Sequence, residues 1–404
     1  MAAPKLSRCF KLSFLLLKIL GIWPGENSHR YYKYYAIFIL CLTFFSYNSL
    51  IVFNTFFTPL IIEEMIEEIV FLFTEFTIIG KVFMIYLMRK KILAALAVLN
   101  CESFESKDED SKEIIERHVF KYKMCWNIYI FTGQISYFAK VFMPILMHLI
   151  FNSALELPIF YALMKRRYYF SNMSHDGTVE RYFTFLFIYQ SVGLYFNMMF
   201  NLIIDTLTAG LMYMAIVQVK VVKHDLKNLS VLKKKKKVSE EDELQFMLLN
   251  KYLKHYEILL NYCGLVQDII GIIMFIQFSF SSVIICIILC RLLLPWTIDF
   301  FLFLITYLCV INTQIFVPSW LGTELNYESA DLVSAAYSCE WIPRSERFKR
   351  SLKLFMTRTT TSITMTGSRI FLLSLDTYIS IVKLAYSFFT LIRKFQDPQE
   401  TTNS

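Results

Sequence analysis

The chain alternates between long apolar stretches and shorter polar or charged segments. Seven stretches supply the roughly 20 mostly apolar residues that a helix needs to cross a bilayer. They lie at about 34–57, 66–88, 124–149, 183–217, 265–290, 296–320 and 372–392. The fourth is too long for a bilayer, so we expect it to continue as a helix into the cytoplasm. The pattern predicts an all-α membrane protein with seven transmembrane helices, numbered here as spans 1 to 7.

Composition supports this class. Hydrophobic residues make up 56% of the 404 residues and charged residues 18%, whereas about 25% are charged in soluble domains. The net charge of +8 would suit a nucleic-acid partner. The basic residues, however, cluster between spans, which argues against nucleic acid and for a membrane.

The basic residues also predict the orientation. Thirty-one of the 41 Lys and Arg residues fall in the N-terminal tail and the loops after spans 2, 4 and 6, and seven fall on the opposite side. The basic side is normally cytoplasmic, so we expect a cytoplasmic N-terminus and an extracellular C-terminus. The sequon at Asn172 then lies outside and is a candidate glycosylation site.

These boundaries divide the chain into seven parts. An apolar stretch at 14–23, which contains Lys18, is expected to form an amphipathic or re-entrant helix. The parts are a cytoplasmic N-terminal amphipathic segment (1–33), spans 1–4 (34–217), a cytoplasmic basic loop and helix (218–264), spans 5 and 6 (265–320), cytoplasmic helices (321–371), span 7 (372–395) and an extracellular tail (396–404).

The sequence carries no pattern typical of an enzyme. It has no phosphate-binding glycine loop, no G-x-S-x-G and no H-E-x-x-H. Cys286 and Cys290 share a helix face without histidine partners, so we interpret them as packing residues. Glu75, Asp205 and Asp268 lie on different spans at different depths. We therefore predict a protein that is not an enzyme and needs no metal or cofactor.

Span 7 carries charge that lipid disfavours, and its charges share one helix face. At 100° per residue a polar stripe runs along the helix, with Leu391 beside it. Two interpretations fit the stripe: it lines a water-filled pore, or it is buried against other spans. Few other spans offer acids to pair with Lys383, which favours a pore shared between subunits. The stripe contains Asp376, Ser380, Lys383, Ser387, Thr390 and Lys394.

The C-terminal region resembles the insect odorant receptor family. The resemblance rests on Ser374-Leu375-Asp376 and Ala385-Tyr386-Ser387-Phe388-Phe389 in span 7. Ala336-Tyr337, Trp341 and the basic helix that follows are similar to the preceding segment of that family. Leu384-Ala385 stands where the insect gustatory pattern has Gln-Phe, which favours the odorant branch.

The resemblance implies a fold and an activity. Members are subunits of tetrameric, ligand-gated, non-selective cation channels, and the cytoplasmic ends of spans 4 to 7 join the subunits. The loop after span 4 is short, whereas the shared coreceptor has an insertion there. The chain therefore looks like an odorant-specific tuning subunit. The implied partners are the coreceptor in a heterotetramer, a small volatile apolar odorant, membrane lipid and permeating cations.

The resemblance also implies sites. The outer part of span 7 would line the pore, with a hydrophobic gate at Leu391 and Lys394 one turn outward. The basic Lys394 departs from what a cation-selective pore would carry. Odorants would bind among spans 2, 3, 4 and 6 in the outer half of the bundle. The pore candidates are Ser380, Lys383, Ser387, Leu391 and Lys394. The ligand-binding candidates are Phe71, Thr74, Glu75, Ile78, Tyr137, Phe138, Val141, Phe142, Tyr189, Tyr195 and Met198.

Other interpretations stay open at this stage. For any one aromatic candidate, contact with lipid or a packing role is as consistent as contact with a ligand. Glu75 has Lys140 and Lys81 as potential partners, and the ladder of Asn197, Asn201 and Asp205 favours hydrogen bonds between helices. The expected location is the plasma membrane of an olfactory sensory neuron dendrite. The alternatives are a metabotropic-type chemoreceptor, a gustatory-type receptor channel or a transporter, although no internal repeat supports the last.

Overall fold

The computed structural model describes residues 6–25, 29–57, 62–104, 109–151, 177–229, 238–294 and 298–396. Within these ranges the chain is almost entirely helical. Its helices are α1 (Lys11–Ile19), α2 (Tyr32–Ile39), α3 (Ser46–Phe57), α4 (Ile62–Leu87), α5 (Arg89–Leu99), α6 (Glu109–Phe151), α7 (Gly177–Asn228), α8 (Val238–Arg291), α9 (Ile298–Ala330), α10 (Leu332–Tyr337), α11 (Glu346–Thr359) and α12 (Leu375–Gln396).

Spans 1 to 7 correspond to α2–α3, α4, α6, α7, α8, α9 and α12. A π-helical segment, Leu40–Phe45, joins α2 to α3 without a break. Among the described residues, the first six spans are long and apolar enough to cross a membrane. The seventh, α12, has 22 residues and carries the charged stripe. The all-α, seven-span prediction is confirmed at the level of the fold.

Several helices extend well beyond a bilayer. Helix α7 has 52 residues and α8 has 54, which correspond to about 80 Å each at 1.5 Å per residue, against a hydrocarbon core of about 30 Å. The helices continue past the predicted spans 183–217 and 265–290 at one or both ends. The expected continuation of span 4 as a helix is confirmed.

Helix α7 forms the centre of the bundle. It contacts α1, the π-helical segment, α4, α6, α8, α9 and α10. Of the residues in its most apolar 18-residue stretch, 83% are buried, a larger share than in the other five apolar spans. Helix α1 packs against α7, and its Leu17 is fully buried, as is the preceding Phe10. After α1 the chain turns back at Gly21, whose φ of +84° suits glycine.

The segment before α12 combines an amphipathic helix with a short hairpin. Ser345 caps α11 by accepting a hydrogen bond from the Phe348 backbone N–H, and α11 buries Phe348, Leu352 and Phe355 while its basic residues face outward. Strands β1 (Thr366–Gly367) and β2 (Phe371–Leu372) then pair antiparallel. Within the described residues, this hairpin is the β structure that the all-α prediction lacked.

Candidate functional site

A cavity opens between α4, α6, α7 and α9. The space between its walls amounts to about 640 Å³, part of which is open to the surroundings. Most of the lining surface is apolar, and a few polar groups face the same space, which is the usual character of a small-molecule site. The lining residues are Phe71, Thr74, Glu75, Ile78, Gly133, Ser136, Tyr137, Lys140, Leu194, Met198, Asn201, Leu202, Phe303, Tyr307, Val310, Ile311 and Gln314.

Helix α4 contributes all four of the residues that its sequence pattern placed on one face. Phe71, Thr74, Glu75 and Ile78 follow helical spacing, and each is less than a tenth exposed. The Thr74 hydroxyl bonds to the Val70 carbonyl at 2.7 Å and also contacts the Tyr307 hydroxyl of α9. The contact with Tyr307 joins this face of α4 to α9 across the cavity.

Helices α6 and α7 place only some of their predicted residues in the cavity. Tyr137 lines it and donates a hydrogen bond from its hydroxyl to the Ser191 carbonyl at 3.1 Å. Met198 also lines it. Phe138 and Phe142, by contrast, point outward and are about half exposed.

Three further candidates lie outside the lining. Val141 is buried in the packing of α6. The Tyr189 hydroxyl bonds to Ser46 at 2.7 Å. The Tyr195 ring packs edge-on against Tyr137 at 5.2 Å between centroids, so it supports a wall residue from behind.

Helix α9 supplies a wall for which the sequence prediction named no residue. Span 6 was expected to border the site, and the side chains of this wall recur every three or four positions. Such a periodicity was visible in the sequence, but the apolar stretch offered several faces of equal hydrophobicity. The wall consists of Phe303, Tyr307, Val310, Ile311 and Gln314.

Two lysines were potential partners of Glu75. One of them, Lys81, pairs with Asp205 instead. The Lys140 ammonium lies over the rings of Phe71 and Phe303, 5.3 and 5.0 Å from their centroids, which is cation–π geometry.

A buried polar network borders the cavity. Lys81 is fully buried and donates to Asp205 Oδ1 at 2.5 Å and to Asn201 Oδ1 at 2.6 Å. Asp205 also accepts from the Tyr129 hydroxyl at 3.0 Å, and Asn197 accepts from the Asn48 amide at 3.2 Å. The prediction that this ladder makes hydrogen bonds between helices is confirmed.

Helix α12 packs against α8 and α9 and turns its polar stripe away from them. Ser380, Lys383, Ser387 and Leu391 are exposed, whereas Ala385 is 2% exposed. The two serine hydroxyls bond to carbonyls one turn back in the same helix. The opposite, apolar face of α12 is less uniformly buried than expected, because Phe388 is 48% exposed.

Some candidates lie outside what the structure describes. Asn172 falls in an undescribed segment, and the side chains of Lys394 and Ile392 are not described. In the described ranges, no group of three or more His, Cys, Asp or Glu side chains could hold a metal ion.

Comparisons with known proteins agree with this architecture. The chain is similar to "Odorant receptor Or1" of Anopheles gambiae, with 22% identity over 96% of this chain and 95% of that protein. It is 32% identical to "Odorant receptor 59a" of Drosophila melanogaster, but over 31% of this chain and about a third (32%) of that protein. A match to "Odorant receptor coreceptor" of Anopheles gambiae is 31% identical over 22% of this chain and 18% of that protein.

A solved structure shows the same fold. The insect olfactory receptor OR5 from Machilis hrabei, in complex with eugenol, superposes with a TM-score of 0.80, 16% identity and coverage of 96% of this chain and 98% of that one. A family described as "7tm Odorant receptor" matches residues 61–386, most of the chain. This family comprises receptors, which confirms the prediction of a protein that is not an enzyme. The chain therefore belongs to the insect odorant receptor family of multi-pass membrane proteins.

Proposed function

We propose that this chain is the odorant-binding subunit of a ligand-gated, non-selective cation channel that assembles with the odorant coreceptor. The observation that carries the proposal is the cavity between α4, α6, α7 and α9. Its apolar walls suit a small volatile molecule, for which burial of apolar surface supplies about 25 cal/mol per Å². Its few polar groups would orient the ligand.

The role as a tuning subunit has its own support. The similarity to Or1 runs along nearly the whole of both chains, whereas the similarity to the coreceptor covers 88 residues. The segment between α7 and α8 is also short: α7 ends at Asn228 and α8 begins at Val238. A heterotetramer with the coreceptor follows, with permeating cations on the axis and lipid around it.

The pore is assigned to α12. Its exposed stripe of Ser380, Lys383, Ser387 and Leu391 would face the axis, with Leu391 as an apolar ring that excludes water when closed. Lys394 is placed one turn further out by sequence. The proposed orientation has the N-terminus in the cytoplasm and the C-terminus outside, in the plasma membrane of an olfactory sensory neuron dendrite.

Recordings from cells that express the chain with the coreceptor test this function. Odorants should evoke cation currents that persist in excised patches without cytosol. Currents that need cytosolic factors would indicate a metabotropic receptor, and uptake without current would indicate a transporter. Epitope tags at the two termini should be reached from outside only at the C-terminus; the reverse result would contradict the orientation.

A further inference from the structure

One side chain in the cavity is buried with unused hydrogen-bonding capacity. Glu75 is 3% exposed, and its Oε2 atom has no hydrogen-bond partner. Neighbouring polar groups of the wall are engaged: Thr74 with Val70 and Tyr307, Tyr137 with Ser191, and Asn201 with Lys81. A buried carboxyl oxygen without a donor costs free energy, which a donor from a ligand would recover.

One other fully buried polar atom of the described lining lacks a partner, and it is less informative. It is Nε2 of Gln314, whose Oε1 accepts from Gln277 at 2.8 Å. Turning both amides exchanges oxygen for nitrogen and preserves their contact, so Gln314 does not define a donor or an acceptor for a ligand. A carboxyl group always offers an accepting oxygen, whether it is ionised or protonated, so Glu75 provides an acceptor for a ligand hydroxyl.

We propose that Glu75 anchors a ligand hydroxyl, so that the preferred ligands are neutral alcohols or phenols with an apolar body. The ligand O–H would donate to Oε2 of Glu75, while its carbon skeleton packs against Phe71, Ile78 and Phe303. The Lys140 ammonium borders the same cavity and disfavours a cationic amine. A ligand carboxylate would place a second acid beside Glu75. A hydroxyl avoids both conflicts.

This inference rests on the proposed function, and matched ligand pairs separate the two. The probes are 1-hexanol, 1-octanol and 2-phenylethanol, each with its methyl ether, together with octylamine and octanoic acid. They are applied to cells that express the chain with the coreceptor. Each alcohol should act at a half-maximal concentration about tenfold below that of its ether, because the ether retains the skeleton but has no hydrogen to donate.

Two substitutions at Glu75 identify the anchor. Glu75→Met removes the acceptor at similar length and should abolish the preference for alcohol over ether. Glu75→Gln retains a carbonyl oxygen and should keep most of the preference for alcohol over ether. The ratio within a pair is the readout, so a change in the amount of protein at the surface does not affect it.

Failure of the Glu75 anchor and failure of the proposed function give different results. Three results would overturn the anchor and leave the proposed function intact. Ethers, amines or acids could act at the same concentrations as the alcohols, or the preference for alcohol could survive in Glu75→Met. The chain could also respond to other apolar odorants but to none of the alcohols. The absence of current with every odorant of a broad panel would overturn the proposed function itself.

Discussion

At the scale of single residues, the Lys81–Asp205 ion pair is the most deeply buried ion pair of the described bundle. Lys81 is completely buried, and both acceptors, Asp205 and Asn201, lie on α7. Removal of one partner from such a pair leaves an uncompensated charge away from water. The pair therefore fixes how α4 docks on α7 beside the cavity.

Lys81→Met should destabilise the receptor strongly. Loss of the ammonium leaves Asp205 with the Tyr129 hydroxyl as its remaining described donor, at a cost of about 3–5 kcal/mol. The measurement is the thermal midpoint of the detergent-purified protein, alongside surface expression. Lys91→Met breaks an exposed pair with Asp268 and should cost about 0–1 kcal/mol. Equal effects of the two substitutions would contradict this account.

Neighbouring aromatic residues on α6 should differ in their effect on odorant response. Tyr137 lines the cavity, whereas Phe138 is 52% exposed on another face. Tyr137→Ala should raise the half-maximal odorant concentration by an amount equivalent to about 1–3 kcal/mol, because contact with the ring is lost. Phe138→Ala is the matched control and should leave it nearly unchanged. The opposite ranking in dose–response curves, at equal surface expression, would remove Tyr137 from the ligand contacts.

These two residues also show the limit of sequence reasoning. The α4 face was predictable because a polar pair, Thr74 and Glu75, marks one side of an apolar helix. On α6 the candidates Tyr137, Phe138 and Phe142 are all aromatic, and a membrane helix can bury or expose such rings at little cost because lipid is itself apolar. Only packing against α7 and α9 decides which ring faces the cavity.

At the scale of elements, the junction between α9 and α12 links the cavity wall to the proposed pore helix. The Leu375 backbone N–H donates to the Thr323 hydroxyl of α9 at 3.0 Å. Next to Thr323, Gly322 lets the chain before α12 approach so closely that an added Cβ would lie 2.1 Å from the Leu373 carbonyl oxygen. Movement of α9 on ligand binding would therefore be transmitted directly to the start of α12.

Gly322→Ala should disrupt this junction. The clash involves backbone atoms, so no side-chain rotation relieves it, and α12 must shift away from α9. We expect reduced assembly with the coreceptor or altered resting current, measured by co-purification and by recording. Gly264→Ala is the control in α8: nothing lies within 4 Å of its added Cβ, and the exchange favours helix by about 1 kcal/mol. A harmless Gly322→Ala would refute the proposed coupling.

Long helices were predictable as elements, and the hairpin before α12 was not. Apolar stretches of sufficient length have one stable form in a bilayer, because helices satisfy their own backbone groups. The hairpin turns through Ser368 and Arg369, which have φ of 49° and 61°. Glycine normally occupies such positions, but here Gly367 lies one residue earlier, in β1. The hairpin is held by the Gln267 side chain, which bonds to both N–H and C=O of Thr366, a contact between distant segments.

The stripe on α12 makes a periodic prediction. Cysteines at Ser380, Lys383 and Ser387 should react with polar thiol reagents applied from outside, and a cysteine at Ala385 should be protected, because it is buried against α8 and α9. Leu391→Ser should raise the resting current by wetting the proposed gate. Current before and after reagent is the readout, with the unmodified chain as control. If the reactivity of the cysteines showed no period of three to four residues, the stripe would be a packing surface and would not line the pore.

At the scale of the whole molecule, the charges of α12 bear on assembly. Lys383 is exposed on the polar stripe, and the sequence places Lys394 on the same stripe. In a tetramer of this chain alone, two lysines from every subunit would surround one axis, and like charges repel strongly where water is scarce. Replacement of some copies by the coreceptor dilutes this repulsion. Electrostatics therefore supports the proposed mixed assembly in addition to the resemblance.

The chain should accordingly conduct only with its partner. Cells that express it alone should show no odorant current, and co-expression with the coreceptor should restore it. Lys383→Ser lowers the charge on the axis, so it should increase the small amount of protein that reaches the surface when the chain is expressed alone. Ser387→Ala, one turn along the same stripe, changes no charge and serves as the control. Large odorant currents from the unmodified chain without coreceptor would contradict this account: either four copies tolerate these lysines on the axis, or α12 turns the stripe away from it.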